Sequence, residues 1–436
     1  MMRQFIFLTW RRLAVVLILA AGLGVLGLGL YAWTLGREVE ARFAGRRWSL
    51  PSRVYSDATL LYPGLTINRA ALKEKLHRLG YRPTTEPMQR EGQLRVAGHD
   101  LEIYLHPWDR PGMPPRPGQP VRLRFDGNRI QRLTNLENRE DLPLLTLEPE
   151  ELALFFGPHR EKRELVAIDQ LPPYLVQAVL AAEDSRFYQH HGLDARGIIR
   201  ALLKNVRHGS IRQGGSTITQ QLAKNFFLTP ERTLARKLKE MLLALVIEAK
   251  FSKNEILEMY LNEIYLGQNG SVSINGVGEA ARFYFAKTAA ELDIPEAAAL
   301  AGLIKSPNSY SPYRDPARCL VRRNEVLAAM GAHGWLTAEA VARAQAASLQ
   351  PAGYDLPQTR APYFIDYLSQ QLGELYAPEA LNSLGLSIFT TLDPLVQDAA
   401  ETALTRGLAN LEQNLPELAR PDPAASLQGA VVVMKP

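Results

Sequence analysis

Two carboxylates and a run of cations are the residues of this chain whose types and spacing could do chemistry. Glu183 falls in step with Val176, Val179, Leu180 and Phe187, which places its carboxylate on the apolar stripe of a helix. Desolvation there favours the protonated form and raises the pKa, making the ionised group a stronger base toward a hydroxyl than an ordinary glutamate. The same spacing fits a glutamate at the stripe's edge with its head in water, or one paired with Arg186 or His190. A second signature runs Gly214-Gly215-Ser216-Thr217-Ile218-Thr219-Gln220-Gln221-Leu222-Ala223-Lys224-Asn225. Its glycine pair frees the backbone to approach a ligand, and Thr217 with Gln220 makes a capping box. Thr217, Gln221 and Lys224 then share a helix face, and a helix N-terminus beside a lysine suits clustered anionic oxygens. The third signature, Arg236-Lys237-Leu238-Lys239-Glu240, lies on a helix with Leu234, Leu238, Met241, Leu242 and Leu245 as its buried stripe. Alone, Arg236 and Glu240 would be a surface ion pair of about 0.3–0.5 kcal/mol. Beside the other two signatures, Glu240 offers a second carboxylate near a departing group, acting directly or through a metal ion.

These segments need a scaffold, and the 436 residues, 46% hydrophobic, allow two or three domains with real cores. The formal charge is only +5, yet Arg186 to Lys250 holds twelve Lys/Arg against four acids, which suits phosphate, anionic lipid or nucleic acid, or else a solvated face. Cys319 is the only cysteine, so no intramolecular disulfide forms. Residues 1–12 read as a cytoplasmic tail and Leu13 to Trp33, 21 residues without charge, as a transmembrane helix. A cleaved signal peptide is the rival, disfavoured by the length of the stretch. Arg3, Arg11 and Arg12 argue for an inside N-terminus, although Arg37, Arg42, Arg46 and Arg47 follow the span.

Residues 55–150 read as a small α+β module. Thr66 is its expected helix cap, with Leu72, Leu76 and Leu79 on one stripe. Leu101, Ile103 and Leu105 alternate with polar neighbours, as do Val121, Leu123 and Phe125 before an Asp126-Gly127-Asn128 turn. Prolines 107, 111, 114, 115, 117 and 120 mark the loop between these strands. Residues 152–323 are expected to be mostly α, with Thr229-Pro230 and the Ser252/Glu255 capping box as helix starts. Residues 324–428 read as a linker region with a short strand within 384–392. Residues 429–436 look like the first strand of a further domain, since an unpaired apolar run there would be an exposed edge.

With Lys253 to Asn262 and Gly276 to Lys287, these signatures resemble the five ordered motifs of the family 51 peptidoglycan glycosyltransferases, over about Leu165 to Arg323. The resemblance implies a lysozyme-like α fold with a membrane-facing lobe. It implies that Glu183 is the general base on the acceptor sugar's 4-hydroxyl and that Glu240 assists departure of the lipid pyrophosphate. Lys224 and Arg236 would bind pyrophosphate, with Lys237 beside them, while Asp184, Phe187, His190, Thr217 and Gln221 would shape the cleft. A divalent cation, Mg or Mn, is implied as an aid, and no organic cofactor. The chain departs from the family at Ser271 to Gly276, where an arginine or tyrosine often precedes the glycine.

Pro51 to Glu150 is similar to the UvrB-domain-2-like module of some class A penicillin-binding proteins, which docks an outer-membrane lipoprotein activator. Pro362-Tyr363-Phe364 and Thr390-Thr391-Leu392-Asp393-Pro394 resemble the linker before their transpeptidase domain. No Ser-x-x-Lys and no Lys-Thr-Gly occurs, so the nucleophile and companion motif for peptide crosslinking and β-lactam binding are absent from this sequence. The expectation is a single-pass inner-membrane enzyme with its catalytic part in the periplasm. It would polymerise lipid II into β-1,4 glycan, release undecaprenyl pyrophosphate, respond to moenomycin and meet the wall-synthesis and division machinery. A lysozyme-like hydrolase or lytic transglycosylase is one rival; a noncatalytic scaffold recruiting partners through residues 55–150 is another. Nucleic acid is not an expected partner, because no recognition helix or interleaved aromatic pattern accompanies the basic residues.

Overall fold

A computed structural model describes residues 2–44, 48, 50–108, 115–156, 160–199, 215–229, 231, 233–351, 360–415 and 427–434, with side chains of the first helix described at 19 and 22–43 and those of 378–379 not described. It comprises two compact units, Met1–Leu50 with Phe156–Leu356, and Pro51–Phe155 with Pro357–Pro436. The chain opens on α1 (Met2–Ala44). Among the described residues no helix is long and apolar enough to cross a membrane. Much of the expected span, residues 13–18, 20 and 21, lies outside the described side chains. The part that is described carries Leu23, Val25, Leu26, Leu28, Leu30 and Trp33 exposed, whereas Leu35, Val39 and Phe43 are buried.

In the second unit the strands are β1 (Ser52–Tyr55), β2 (Thr59–Leu61), β3 (Arg82–Pro83), β4 (Gln93–Ala97), β5 (Asp100–Tyr104), β6 (Pro120–Asp126), β7 (Arg129–Asn135), β8 (Leu145–Leu147) and β9 (Glu151–Phe155). Five of them form a sheet in the order β3-β4-β5-β6-β7. Leu101, Ile103, Val121, Leu123 and Phe125 face its core together with Leu72 and Leu76 of α2 (Arg69–Arg78). The period of two fails at Glu102, which is buried although its neighbours face the core. Arg95 and Arg122, on the strands either side, bond its carboxylate at 2.7 and 3.0 Å. The cap of α2 is Asn68, not Thr66: its side chain accepts from the amides of Ala70 and Ala71, while Thr66 is held extended in a bridge to Arg129. Of the proline-rich loop, residues 109–114 lie outside the described residues, and Trp108 and Arg116 pair across its base.

The first unit is mostly helical. A sheet in the order β10-β12-β11 joins β10 (Glu161–Arg163), β11 (Tyr265–Asn269) and β12 (Val272–Asn275). Around it stand α3 (Pro173–Glu183), α4 (Ile218–Phe227), α5 (Leu234–Lys250), α6 (Lys253–Glu263), α7 (Gly276–Phe285), α8 (Ile294–Leu303) and α9 (Pro316–Ala332). They share one apolar core with the buried end of α1. The capping boxes at Thr217/Gln220 and Ser252/Glu255 are both formed. Thr229-Pro230 does not start α5; Thr233 caps it by accepting from the amide of Arg236, and Pro230 lies outside the described residues.

Past this unit, β13 (Ser387–Phe389) pairs parallel with β1 to complete the order β13-β1-β9. Arg360 reaches the buried Glu150 at 2.7 Å, which also binds Lys75 and Arg78, so residues 357–436 are tied to the module by charge as well as by a strand. The expected strand at 429–436 is not formed over the described residues 429–434; its valines stand exposed without a pairing partner.

Candidate active site

Glu183 is the last residue of α3, and the helix ends there because Asp184 turns out of helical geometry. Its carboxylate is half-buried and accepts a hydrogen bond from Gln221 Nε2 of α4 at 2.9 Å. Gln221 Oε1 in turn accepts from the hydroxyl of Tyr260 on α6 at 3.0 Å, and Tyr260 is fully buried. Burial pushes the Glu183 carboxyl above the ordinary range, opposed by the Gln221 hydrogen bond and by the positive charges of Arg322 and Lys305, while the neighbouring Asp184 charge adds to the rise. Neither Arg186 nor His190 pairs with Glu183. Arg186 binds Asp194 at 3.2 Å and His190 binds Asp184 at 3.0 Å.

Asp184 acts as a hub. One of its oxygens accepts from the amide of Ile218, the first residue of α4, and from His190 Nε2. This buried carboxylate therefore sits at the α4 N-terminus, where the sequence had placed anionic ligand oxygens. With the amides of Ile218 and Gln220 already taken by Asp184 and Thr217, this helix end has less to offer a second anion. Thr217 is likewise internal: its hydroxyl donates to Gly192 O at 2.6 Å and accepts from the amide of Gln220. Phe187 packs in the core, edge-on to His190, with Lys253 Nζ 4.2 Å from its ring centroid. Asp184, Phe187, His190 and Thr217 thus hold the junction of α3 and α4 from inside, and Gln221 meets Glu183 side chain to side chain across the two helices. Of the glycine pair, residue 214 lies outside the described residues.

Glu240 on α5 is buried and held from two sides. Arg236 Nη1 bonds one oxygen at 3.0 Å and Lys237 Nζ bonds the other. Lys237 also donates to Ser216 Oγ at 2.9 Å, which ties α5 to the loop before α4. The surface ion pair drawn from the i,i+4 spacing is in fact a buried carboxylate between two cations. Lys224 is exposed, and its side chain has no hydrogen-bond or ion-pair partner among the described residues. Basic residues 200, 204, 207, 212 and 232 lie outside the described residues.

A divalent ion would need several hard oxygen donors. Among the described residues no group of three or more His, Cys, Asp or Glu could hold one. Both Glu240 oxygens already face cations, so the described residues do not fit a resident metal.

Residues 149–331 match the family described as transglycosylase, and residues 61–147 match the bifunctional transglycosylase second domain. The chain thus carries a region similar to the transglycosylase family and one similar to its bifunctional second domain. It is 36% identical over 393 residues to penicillin-binding protein 1B of Vibrio cholerae, covering 90% of this chain and 49% of that protein. With penicillin-binding protein 1B of Escherichia coli it shares 34% over 411 residues, 93% of this chain and 47% of the relative. Penicillin-binding protein 1A of Escherichia coli is 43% identical over 255 residues, 58% of this chain and 29% of its own length. The chain spans about half the length of the penicillin-binding proteins 1B it matches.

The transglycosylase region contains contributors that sequence reasoning passed over. Tyr260 looked like one more apolar position of α6, because its buried ring carries the stripe and only its hydroxyl serves the site. Ser216 lay within the Gly-Gly-Ser-Thr signature without a role. Lys305 and Arg322 lie more than a hundred residues from Glu183 in sequence, and nothing local marks their charges as neighbours of it.

Proposed function

We propose that this chain is a membrane-anchored peptidoglycan glycosyltransferase that extends a lipid-linked glycan with lipid II. The observation that carries the reading is Glu183: a carboxylate raised by burial and oriented by Gln221 of α4, the helix that packs against α5 with its cationic Arg236-Lys237 pair. In the proposed step Glu183 takes the proton from the acceptor's 4-hydroxyl. That oxygen attacks C1 of the donor sugar from the face opposite its pyrophosphate, so the O4–C1 bond forms as the bond from C1 to the pyrophosphate oxygen breaks. Undecaprenyl pyrophosphate leaves with the electron pair, and the link formed is β-1,4. Lys224, exposed and without an ion-pair partner among the described residues, is a cation available to the departing phosphates, while Arg236 and Lys237 lie on Glu240.

The exposed apolar residues of α1 between 19 and 33 support a place for that helix in the bilayer, with the catalytic part in the periplasm. A larger parent with a transpeptidase domain fits the length of the relatives. A lipoprotein activator at residues 55–150 and moenomycin at the donor site are further parts of this proposal. Protease treatment of spheroplasts tests the location: cleavage of residues 55–150 is expected without lysis, and protection until lysis would refute it.

Because the base must be ionised, kcat/KM is expected to fall as pH drops through the raised Glu183 pKa, above the range of an ordinary glutamate. Gln221→Leu removes a hydrogen bond that favours the ionised form, so the acidic limb should move further up. A pH profile of glycan synthesis that is unchanged in the variant would contradict the assignment. Tyr260→Phe removes only the hydroxyl that orients Gln221, a hydrogen bond of about 1 kcal/mol, so kcat should drop roughly fivefold with the fold retained. Steady-state polymerisation from labelled lipid II measures it.

A further inference from the structure

The end of α1 does more than lead into the chain. Phe43 is buried with its ring edge-on to Phe226, Phe227 and Phe251, at centroid distances of 5.0, 5.5 and 5.3 Å. Phe226 and Phe227 are the last two residues of α4, and Phe251 caps the end of α5. Val39 and Leu35 enter the same core one and two turns earlier. Gly36 lets α1 lie close to α5, since a Cβ there would stand 3.1 Å from Lys250 Cε, and Lys250 pairs with Glu40. Just past the helix, Trp48 Nε1 donates to Glu263 Oε2 at 2.8 Å, where Arg163 also binds Glu263 at 3.1 Å and stacks 5.8 Å from the indole.

We infer that Phe43 and Trp48 are positioning residues of the active site, through which residues 34–48 set the relative placement of α4 and α5. The physical reason is leverage. Phe43 grips the C-terminal ends of the two helices that carry Gln221, Lys224, Arg236, Lys237 and Glu240, and Trp48 adds a second ring contact to Phe226 at 6.2 Å. Close packing transmits a shift at one end of a short helix along its whole length, and a displacement near 1 Å at reacting groups costs on the order of 10²-fold in rate. Trp48 fixes the same neck to α6, the helix that supplies Tyr260. On this view α1 is part of the catalytic scaffold and its contribution is separable from holding the enzyme at a membrane.

The inference rests on the glycosyltransferase reading, and the test separates the two. The full chain, Phe43→Ala, Phe43→Leu and Trp48→Phe are compared in detergent micelles, where bilayer attachment is not needed for enzyme and lipid II to meet. Measured are kcat and KM per folded molecule, the thermal midpoint, and amide hydrogen exchange across 218–227. Phe43→Ala is expected to lower kcat/KM about tenfold or more at temperatures where it remains folded, and to speed exchange in α4, with Phe43→Leu in between. Trp48→Phe, which opens almost no cavity, should lower kcat severalfold with little change in midpoint. Variants that melt earlier yet keep parental kcat/KM when folded would overturn the inference, and so would unaltered exchange in α4. If Phe43→Ala does not fold, parental kinetics in Trp48→Phe decide against it. A parent chain that makes no glycan counts against the enzyme reading instead, and exchange still reports on the neck.

Discussion

Glu183→Gln should lower glycan polymerisation by about 10²–10⁴-fold, the range that a positioned general base contributes, while the protein stays folded. The amide keeps the size of the side chain, and its oxygen still accepts from Gln221 Nε2. Stability has a definite sign here. Burial raises the folded-state pKa of Glu183 above its unfolded value, so the ionised group weakens folding at neutral pH, and that penalty fades as pH falls through the raised pKa. An uncharged glutamine carries no such penalty, and the variant's thermal midpoint at neutral pH should equal or exceed the parent's. Product length and yield from labelled lipid II, read beside the melt, check both parts. Substantial polymer from the variant would remove Glu183 from the role of base.

Glu240→Gln should be costly in a different way. The carboxylate lies between Arg236 and Lys237, and replacing one partner of a buried ion cluster leaves the others without counter-charge, typically a loss of 3–5 kcal/mol. Arg236 and Lys237 retain contact with solvent, which screens part of that cost and places the expectation near the lower end, about 3 kcal/mol. Activity should fall with it by roughly 10²-fold or more, because the freed Lys237 loses the geometry that ties it to Ser216. Urea denaturation and steady-state kinetics separate the two losses. Parental stability in this variant would mean that the cations find other partners and that the cluster does not organise α5. The contrast with Glu183→Gln is informative: one substitution removes chemistry from an intact frame, and the other weakens the frame.

Local patterns in the sequence were sufficient wherever the cause of a feature lies within one turn or one strand pair. The capping boxes at Thr217/Gln220 and Ser252/Glu255 formed as expected because the reciprocal bonds span only three residues. Caps chosen by residue type alone failed at Thr66 and at Thr229-Pro230. In each case a competing polar residue, Asn68 or Thr233, was the one whose side chain met the first helical amides. Glu102 broke the alternation of β5 because arginines on both neighbouring strands supply its counter-charge, a condition set by register and invisible along one strand.

The sequence by itself determined the carboxylate on the stripe of α3, the Gln221 face of α4, the cation-carboxylate spacing of α5 and the upward direction of the Glu183 pKa. Those follow from helical period, which is local, but the stripe expected to be buried on α5 is not the observed one: Leu234, Leu238 and Leu245 are exposed, and Glu240 shares the buried face with Leu243, Ala244 and Ile247, a choice made by what packs against the helix. Only the tertiary structure decided what each polar group faces. It turned Asp184 toward the amide of Ile218 and His190, placed Thr217 against Gly192, and buried Glu240 between Arg236 and Lys237. It also brought Tyr260 to Gln221 and the ring of Phe43 to the ends of two site helices. A buried polar atom must find its partner wherever the packed chain supplies one, and that requirement acts through space, at separations the linear order does not encode.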